Sequence, residues 1–93
     1  MKLKPIAKIG SYRKGKLSVS FDEIVEKLFL PNATHLDDPI KVKASWGFED
    51  ENGRQGFIWC YQYDDAEFCY EWSVDGDKSL FKELFGDEVE FEK

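Results

Sequence analysis

Trp46, Trp59 and Trp72 recur at intervals of thirteen residues, with a turn signal midway in each interval. Such spacing restricts the middle of the chain to strand, turn and strand, twice over. Asn52-Gly53 is the pair favoured where a two-residue type I′ turn needs positive φ at both central positions. With Glu51 opposite Arg54, that turn pairs Phe48 with Phe57, Trp46 with Trp59, Ala44 with Tyr61 and Val42 with Tyr63. The second break, Asp64-Asp65-Ala66-Glu67, works as a four-residue loop that sets Trp59 opposite Trp72, Tyr61 opposite Tyr70 and Phe57 opposite Val74. In both registers the aromatic set lies on one face, and a slip of one residue would turn a whole set over. The expectation is an antiparallel meander over 42–49, 55–63 and 68–74, with the three tryptophans in one buried row.

The other face would then carry Ser45, Gly47, Glu49, Gly56, Ile58, Cys60, Gln62, Cys69, Glu71, Ser73 and Asp75. That set is mostly polar or small, and antiparallel sheets commonly leave one side to water. The aromatic side needs a cover, and two helices can supply it. Ser20-Phe21-Asp22-Glu23 reads as a capping box, with Val19 placed to staple onto Ile24. Phe21, Ile24, Val25 and Leu28 recur at helical spacing, which predicts a helix over 21–29 ended by Pro31-Asn32. Asp77 caps a second helix over 78–85, with Leu80, Phe81, Leu84 and Phe85 on one side and Gly86 as its stop. Residues 5–9 read as a strand, 10–15 as a polar loop, and 87–93 offer a short last strand. The fold class that follows is α+β: a two-layer sandwich in the order β-α-β-β-β-α.

Ninety-three residues make a single domain, and fifteen aromatics compensate for its size, since each ring can bury roughly 150–250 Å². Two cysteines and one histidine fit neither a disulfide scaffold nor a four-ligand zinc module. The start lacks a secretory pattern, and no stretch nears the roughly 20 apolar residues of a membrane span. A cytoplasmic protein is the expectation.

Net charge is −6, but the first twenty residues hold Lys2, Lys4, Lys8, Arg13, Lys14 and Lys16 with no acid, so the remainder carries −12. A basic N-terminal segment over 1–20 thus precedes an acidic body. The acids arrive in clusters, Glu49-Asp50-Glu51, then Asp64, Asp65 and Glu67, then Glu71 and Asp75. On the expected meander these occupy one sheet face and its two ends. A negative surface of that kind speeds encounter with a basic partner.

The α-β-β-β-α part of this order resembles that of double-stranded RNA-binding domains. Those present lysines at the start of the last helix, whereas here Asp75-Gly76-Asp77-Lys78 stands there, so direct contact with nucleic acid is not expected. In architecture and composition the chain also resembles small acidic phage or mobile-element proteins of the anti-CRISPR kind. The segment DDPIKVKASWGFEDENGRQGFIWCYQY looks like small phage reading frames. That resemblance implies carboxylates that imitate a DNA backbone.

Other chemistries are weaker in this sequence. The tryptophan row as a stacking platform for bases competes with its use as a core, which two apolar helices favour. Cys60, Cys69 and His35 lack metal-ligand or nucleophile spacing, and two reduced thiols are the plainer account. Asp75-Gly76-Asp77 lacks the other ligands of a calcium loop. No catalytic residue, cofactor or metal is expected. The reading is a non-enzymatic inhibitor that presents Glu49, Asp50, Glu51, Asp64, Asp65, Glu67, Glu71 and Asp75 to the basic surface of a host protein, including a nucleic-acid-binding one. It would act as a monomer or weak homodimer without a membrane. The alternative is a nucleotide or small-ligand module built on Arg13, Lys14 and Lys16 with exposed aromatics.

Overall fold

The computed structural model describes residues 2–7, 12–33, 42–61 and 70–92. Its strands are β1 (Leu3–Pro5), β2 (Gly15–Leu17), β3 (Val42–Asp50), β4 (Gln55–Tyr61), β5 (Trp72–Gly76) and β6 (Val89–Phe91). The helices are α1 (Phe21–Lys27) and α2 (Lys78–Phe85), and a 3-10 turn at Gly86–Glu88 leads into β6. All six strands form one antiparallel sheet in the order β1-β3-β4-β5-β2-β6. The α+β class and the helix-covered meander hold. Gly15, the last residue of the expected polar loop, instead opens a strand, and this short β2 joins β5 to β6. The first strand lies at Leu3–Pro5; residues 8–9, 34–41 and 62–69 fall outside the described residues.

The helix starts follow from their caps. Ser20 Oγ accepts the Glu23 N–H at 3.2 Å, and the Asp77 carboxylate accepts the Leu80 N–H at 3.0 Å. Gly86, with φ +61°, ends α2 in the left-handed region that a residue with Cβ avoids. Helix α1 stops at Lys27, two residues before the expected end. The Phe29 carbonyl just beyond accepts the Trp46 indole N–H at 2.8 Å.

The first hairpin differs from the two-residue turn expected at Asn52-Gly53. Asp50 and Arg54 close a three-residue loop, with Asp50 N–H on the Arg54 carbonyl at 3.0 Å and Gly53 alone at positive φ, +81°. The cause is Asp50, whose Oδ1 accepts from the N–H groups of Asn52 and Arg54 and so organises the turn from its first residue. One extra loop residue shifts the register by one. Trp46 pairs with Ile58, Phe48 with Gly56, and Ser45 with Trp59.

The pairing of β4 with β5 is also shifted by one residue, with Ile58 opposite Val74 and Trp59 opposite Ser73. Strand β4 is therefore turned over relative to expectation, while β3 and β5 keep theirs. Gly56, Ile58 and Cys60 face the helices, and Phe57 and Trp59 face away. The single row of three tryptophans is thus corrected to a pair. Trp46 and Trp72 meet edge-to-face at 5.3 Å beneath Phe21 of α1, and Trp72 donates its indole N–H to the Val19 carbonyl at 2.9 Å. Nor does the far face simply meet solvent. Ser45, Trp59 and Ser73 are buried there, so β4 is buried on both sides at that level.

Large residues of β3 lie opposite small or slender ones of β4 in this register. The ring of Phe48 occupies the space above Gly56, which a Cβ would fill. A second aromatic group forms around Phe81 of α2, whose ring centroid is 5.6 Å from those of both Phe48 on β3 and Phe91 on β6. Three strands separate β3 from β6, so a flat sheet would hold them about 19 Å apart at the usual strand spacing. The sheet therefore coils around Phe81. Close backbone approaches at Gly15 and Gly76 accompany the coil, each glycine lying where a Cβ would strike the carbonyl of an adjacent strand.

Candidate functional site

The carboxylates chosen from sequence fall into distinct environments. Glu49, on β3, sits beside Lys4 of β1 with Nζ to Oε1 at 3.1 Å and accepts from Gln55 Nε2 at 2.8 Å. Those contacts, Gln55 first and then Lys4, hold it below the usual glutamate range. Glu51 at the hairpin tip is exposed; its own backbone N–H and that of Lys2, at 2.9 Å, lower its pKa.

Asp50 is internal. Its side chain has 0% exposure, and its two oxygens accept from the Asn52 N–H, the Arg54 N–H and Arg54 Nε, the last at 2.6 Å. Burial pushes its pKa up, but the Arg54 backbone and guanidinium outweigh that and hold it low. Arg54 continues to Glu83 of α2 at 2.6 Å and donates to Ser79 Oγ at 3.2 Å, while Ser79 donates to Asp77. This chain of bonds fastens the hairpin to the start of α2.

On β5, Asp75 pairs with Lys14 Nζ at 3.3 Å and accepts the Tyr12 N–H at 3.3 Å. Glu71, exposed just before that strand, lies 3.4 Å from Arg13. Arg13 also reaches Glu92 at 3.3 Å, and Lys16 on β2 lies 3.5 Å from Glu90. Lys4, Arg13, Lys14 and Lys16 of the basic segment thus each stand beside a carboxylate. Asp64, Asp65 and Glu67 lie outside the described residues.

A different set of carboxylates takes part in none of the ion pairs among the described residues. Asp22 and Glu26 on α1 and Asp87 in the 3-10 turn are exposed, and among the described residues no basic side chain bridges to them. The Glu23 and Glu88 carboxyls meet between these elements, and their shared hydrogen bond raises the pKa of Glu23. The two nearby lysines are turned to backbone: Lys27 donates to the Leu84 carbonyl at 2.7 Å and Lys82 to that of Val89 at 2.8 Å. Sequence clustering missed this patch because it is assembled from two segments more than sixty residues apart. The one available signal was the excess of acid in the first turn of α1 and after Gly86.

Open grooves mark the described surface. One of about 550 Å³ lies between Lys2–Lys4 and the hairpin tip, and two of about 490 and 310 Å³ flank Arg13 and Phe91. Arg13, Lys14 and Lys16 line the latter two, but each already holds a carboxylate. Tyr12 beside them is 81% exposed. Cys60 is buried in the core, whereas Cys69 and His35 lie outside the described residues. Among the described residues no group of three or more His, Cys, Asp and Glu side chains could hold a metal ion. None of their helices is long and apolar enough to cross a membrane. No family model, curated protein or solved structure matches the chain.

Proposed function

We propose that this chain is a non-enzymatic binding domain that presents carboxylates to a basic surface of a protein partner and blocks that surface by steric and electrostatic occlusion. The observation that carries the reading is the division of charge. Basic side chains across the sheet are bound to carboxylates or backbone carbonyls, while Asp22, Glu26 and Asp87 stand exposed together with the Glu23–Glu88 pair. A concentrated negative field next to a rigid fold favours steered association with a positive cleft, including one that binds nucleic acid. The resemblance to small acidic phage inhibitors belongs to the same proposal, as does a host-cytoplasmic setting.

Glu51 and Glu71 extend the negative surface at the sheet's ends, and Asp64, Asp65 and Glu67 enter through the sequence alone. The test is affinity capture from a host lysate with the wild-type protein and with Asp22→Lys/Glu26→Lys/Asp87→Lys. The proposal expects a captured basic protein whose yield drops in the folded variant and falls with added salt. A captured set unchanged by the reversal would overturn it.

A further inference from the structure

Among the described residues the sheet ends at β1 and at β6, and β3 runs on past the end of β1; an incoming strand would meet a different obstacle at each of these three places. In β6 the backbone groups of Glu88 and Glu92 turn inward, since Ser18 N–H reaches the Glu88 carbonyl at 2.9 Å and Glu92 N–H reaches the Lys14 carbonyl at 2.7 Å. With alternation along the strand, those of Val89 and Phe91 point outward. On that outward side Lys82 of α2 places Nζ 2.8 Å from the Val89 carbonyl. An incoming strand would have to displace this ammonium.

At the opposite edge, Ile6 N–H binds the Gly47 carbonyl at 2.9 Å, and Lys4 pairs with Glu49. Leu3 and Pro5 are therefore the outward residues of β1, and one of them has no N–H to offer. Beyond the end of β1, Asn32 stands beside the inner neighbour β3 at Ser45 and Gly47. The Asn32 side chain acts there like a short piece of strand: Oδ1 accepts the Gly47 N–H, and Nδ2 donates to the Gly47 and Ile6 carbonyls, all at 3.1 Å. The backbone N–H groups of Asn32 and Ala33 bind the Ser45 carbonyl at 3.1 and 3.2 Å.

A lysine, a proline and an asparagine thus act at three separate places on one function, the refusal of a further strand. We propose that Lys82 and Pro5 are edge locks that keep a second copy of this chain from adding to the sheet, with Asn32 covering the stretch of β3 beyond the end of β1. Open edges template association, and lysine and proline are the residues that blunt them. The occupant excluded is another copy because the outward row of β6 is self-complementary in an antiparallel dimer about a two-fold axis. The partner of the proposed function would then be met by charged surfaces and not by strand addition.

The test is sedimentation velocity between micromolar and millimolar concentration on the wild type, Lys82→Met, Pro5→Val and the double variant, with Lys82→Arg as the conservative control. Circular dichroism confirms that each is folded; Met and Val suit the helix and strand positions they enter. The wild type and Lys82→Arg should keep the mass of one chain throughout. The double variant should climb toward twice that mass as concentration rises, with Lys82→Met intermediate. A dimeric wild type, or a folded double variant that stays at the mass of one chain, would overturn the proposal.

Discussion

Phe48 lies with its ring against the α-carbon face of Gly56, its partner across the β3–β4 pair, and occupies the space that a side chain at position 56 would need. This pairing fits the register that the Asp50 turn sets: the Phe48 ring is accepted because its neighbour has no Cβ. Gly56 lies outside the positive-φ region, so a residue with a side chain would suffer no backbone strain there. In open space the substitution Gly56→Ala would stabilise by restricting the unfolded chain. Here it should destabilise by about 1–3 kcal/mol through overpacking, as read from the urea midpoint. Phe48→Ala/Gly56→Ala should be less destabilised than the sum of the single variants, because removal of the ring makes room for the methyl group.

The corrected tryptophan pair makes a second expectation. Trp46 and Trp72 touch edge-to-face, whereas Trp59 lies across the sheet from both. In a double-mutant cycle with leucine, Trp46 and Trp72 should couple by about 0.5–1.5 kcal/mol. Trp59 should combine with either additively, within about 0.5 kcal/mol. A large Trp59–Trp72 coupling would restore the single row.

Much of this architecture is legible before any coordinates. Ser20, Asp77 and Gly86 mark helix ends by backbone chemistry that acts over a few residues, so their positions are local facts. The facing of β4 is not local. Residues 56–61 run Gly-Phe-Ile-Trp-Cys-Tyr, apolar on both alternations, and a strand buried on both sides carries no period-2 signal. The deciding residue was Asp50, since Asp50-Glu51-Asn52-Gly53 also fits a turn with Asp first and Gly fourth, a pattern that competes with the two-residue reading of Asn-Gly. Strand β2 is three residues long with only Leu17 as a clear apolar anchor, and Asn32 reads as a helix stop until β3 lies beside it. As for the candidate site, residue type told where acid is abundant but not which acids the basic segment would engage.

Asp50 and Glu49 should respond differently to neutralisation. Asp50→Asn loses a charge around which the Asn52 and Arg54 N–H groups, the Arg54 guanidinium and, through it, Glu83 and Ser79 are organised, whereas Glu49→Gln loses one partly exposed ion pair. Thermal unfolding at neutral pH should show the larger loss in Asp50→Asn. Glu49 and Asp50 have folded pKa values below their ordinary 4.5 and 3.8 respectively, so their stabilisation is present above those values and is lost as pH falls through the lower folded ones. The acid side of the stability curve should therefore flatten in Asp50→Asn.

Glu23 has the opposite sign. Its pKa is raised, first by the hydrogen bond with Glu88, then by desolvation and the Glu88 charge, against a lowering by Lys27. Its contribution is present below the ordinary 4.5 and is lost as pH rises through the raised folded value. Glu23→Gln should accordingly raise the melting temperature at pH 7 and lose that advantage below pH 4.5. An equal effect at both pH values would exclude a shared proton between these carboxyls.

The facing of β4 decides which residues share the buried layer and which stand beside Glu49 and Asp75, and it can be read from short proton distances across the hairpin. In an antiparallel sheet the residues of non-hydrogen-bonded pairs bring their α-protons close together. Because Asp50 and Arg54 form a hydrogen-bonded pair, the close ones should be Gly47–Phe57 and Ser45–Trp59. Strong nuclear Overhauser effects between the α-protons of those two pairs are the expected result. Strong effects between Phe48 and Phe57, or between Trp46 and Trp59, would contradict it and return β4 to the opposite face.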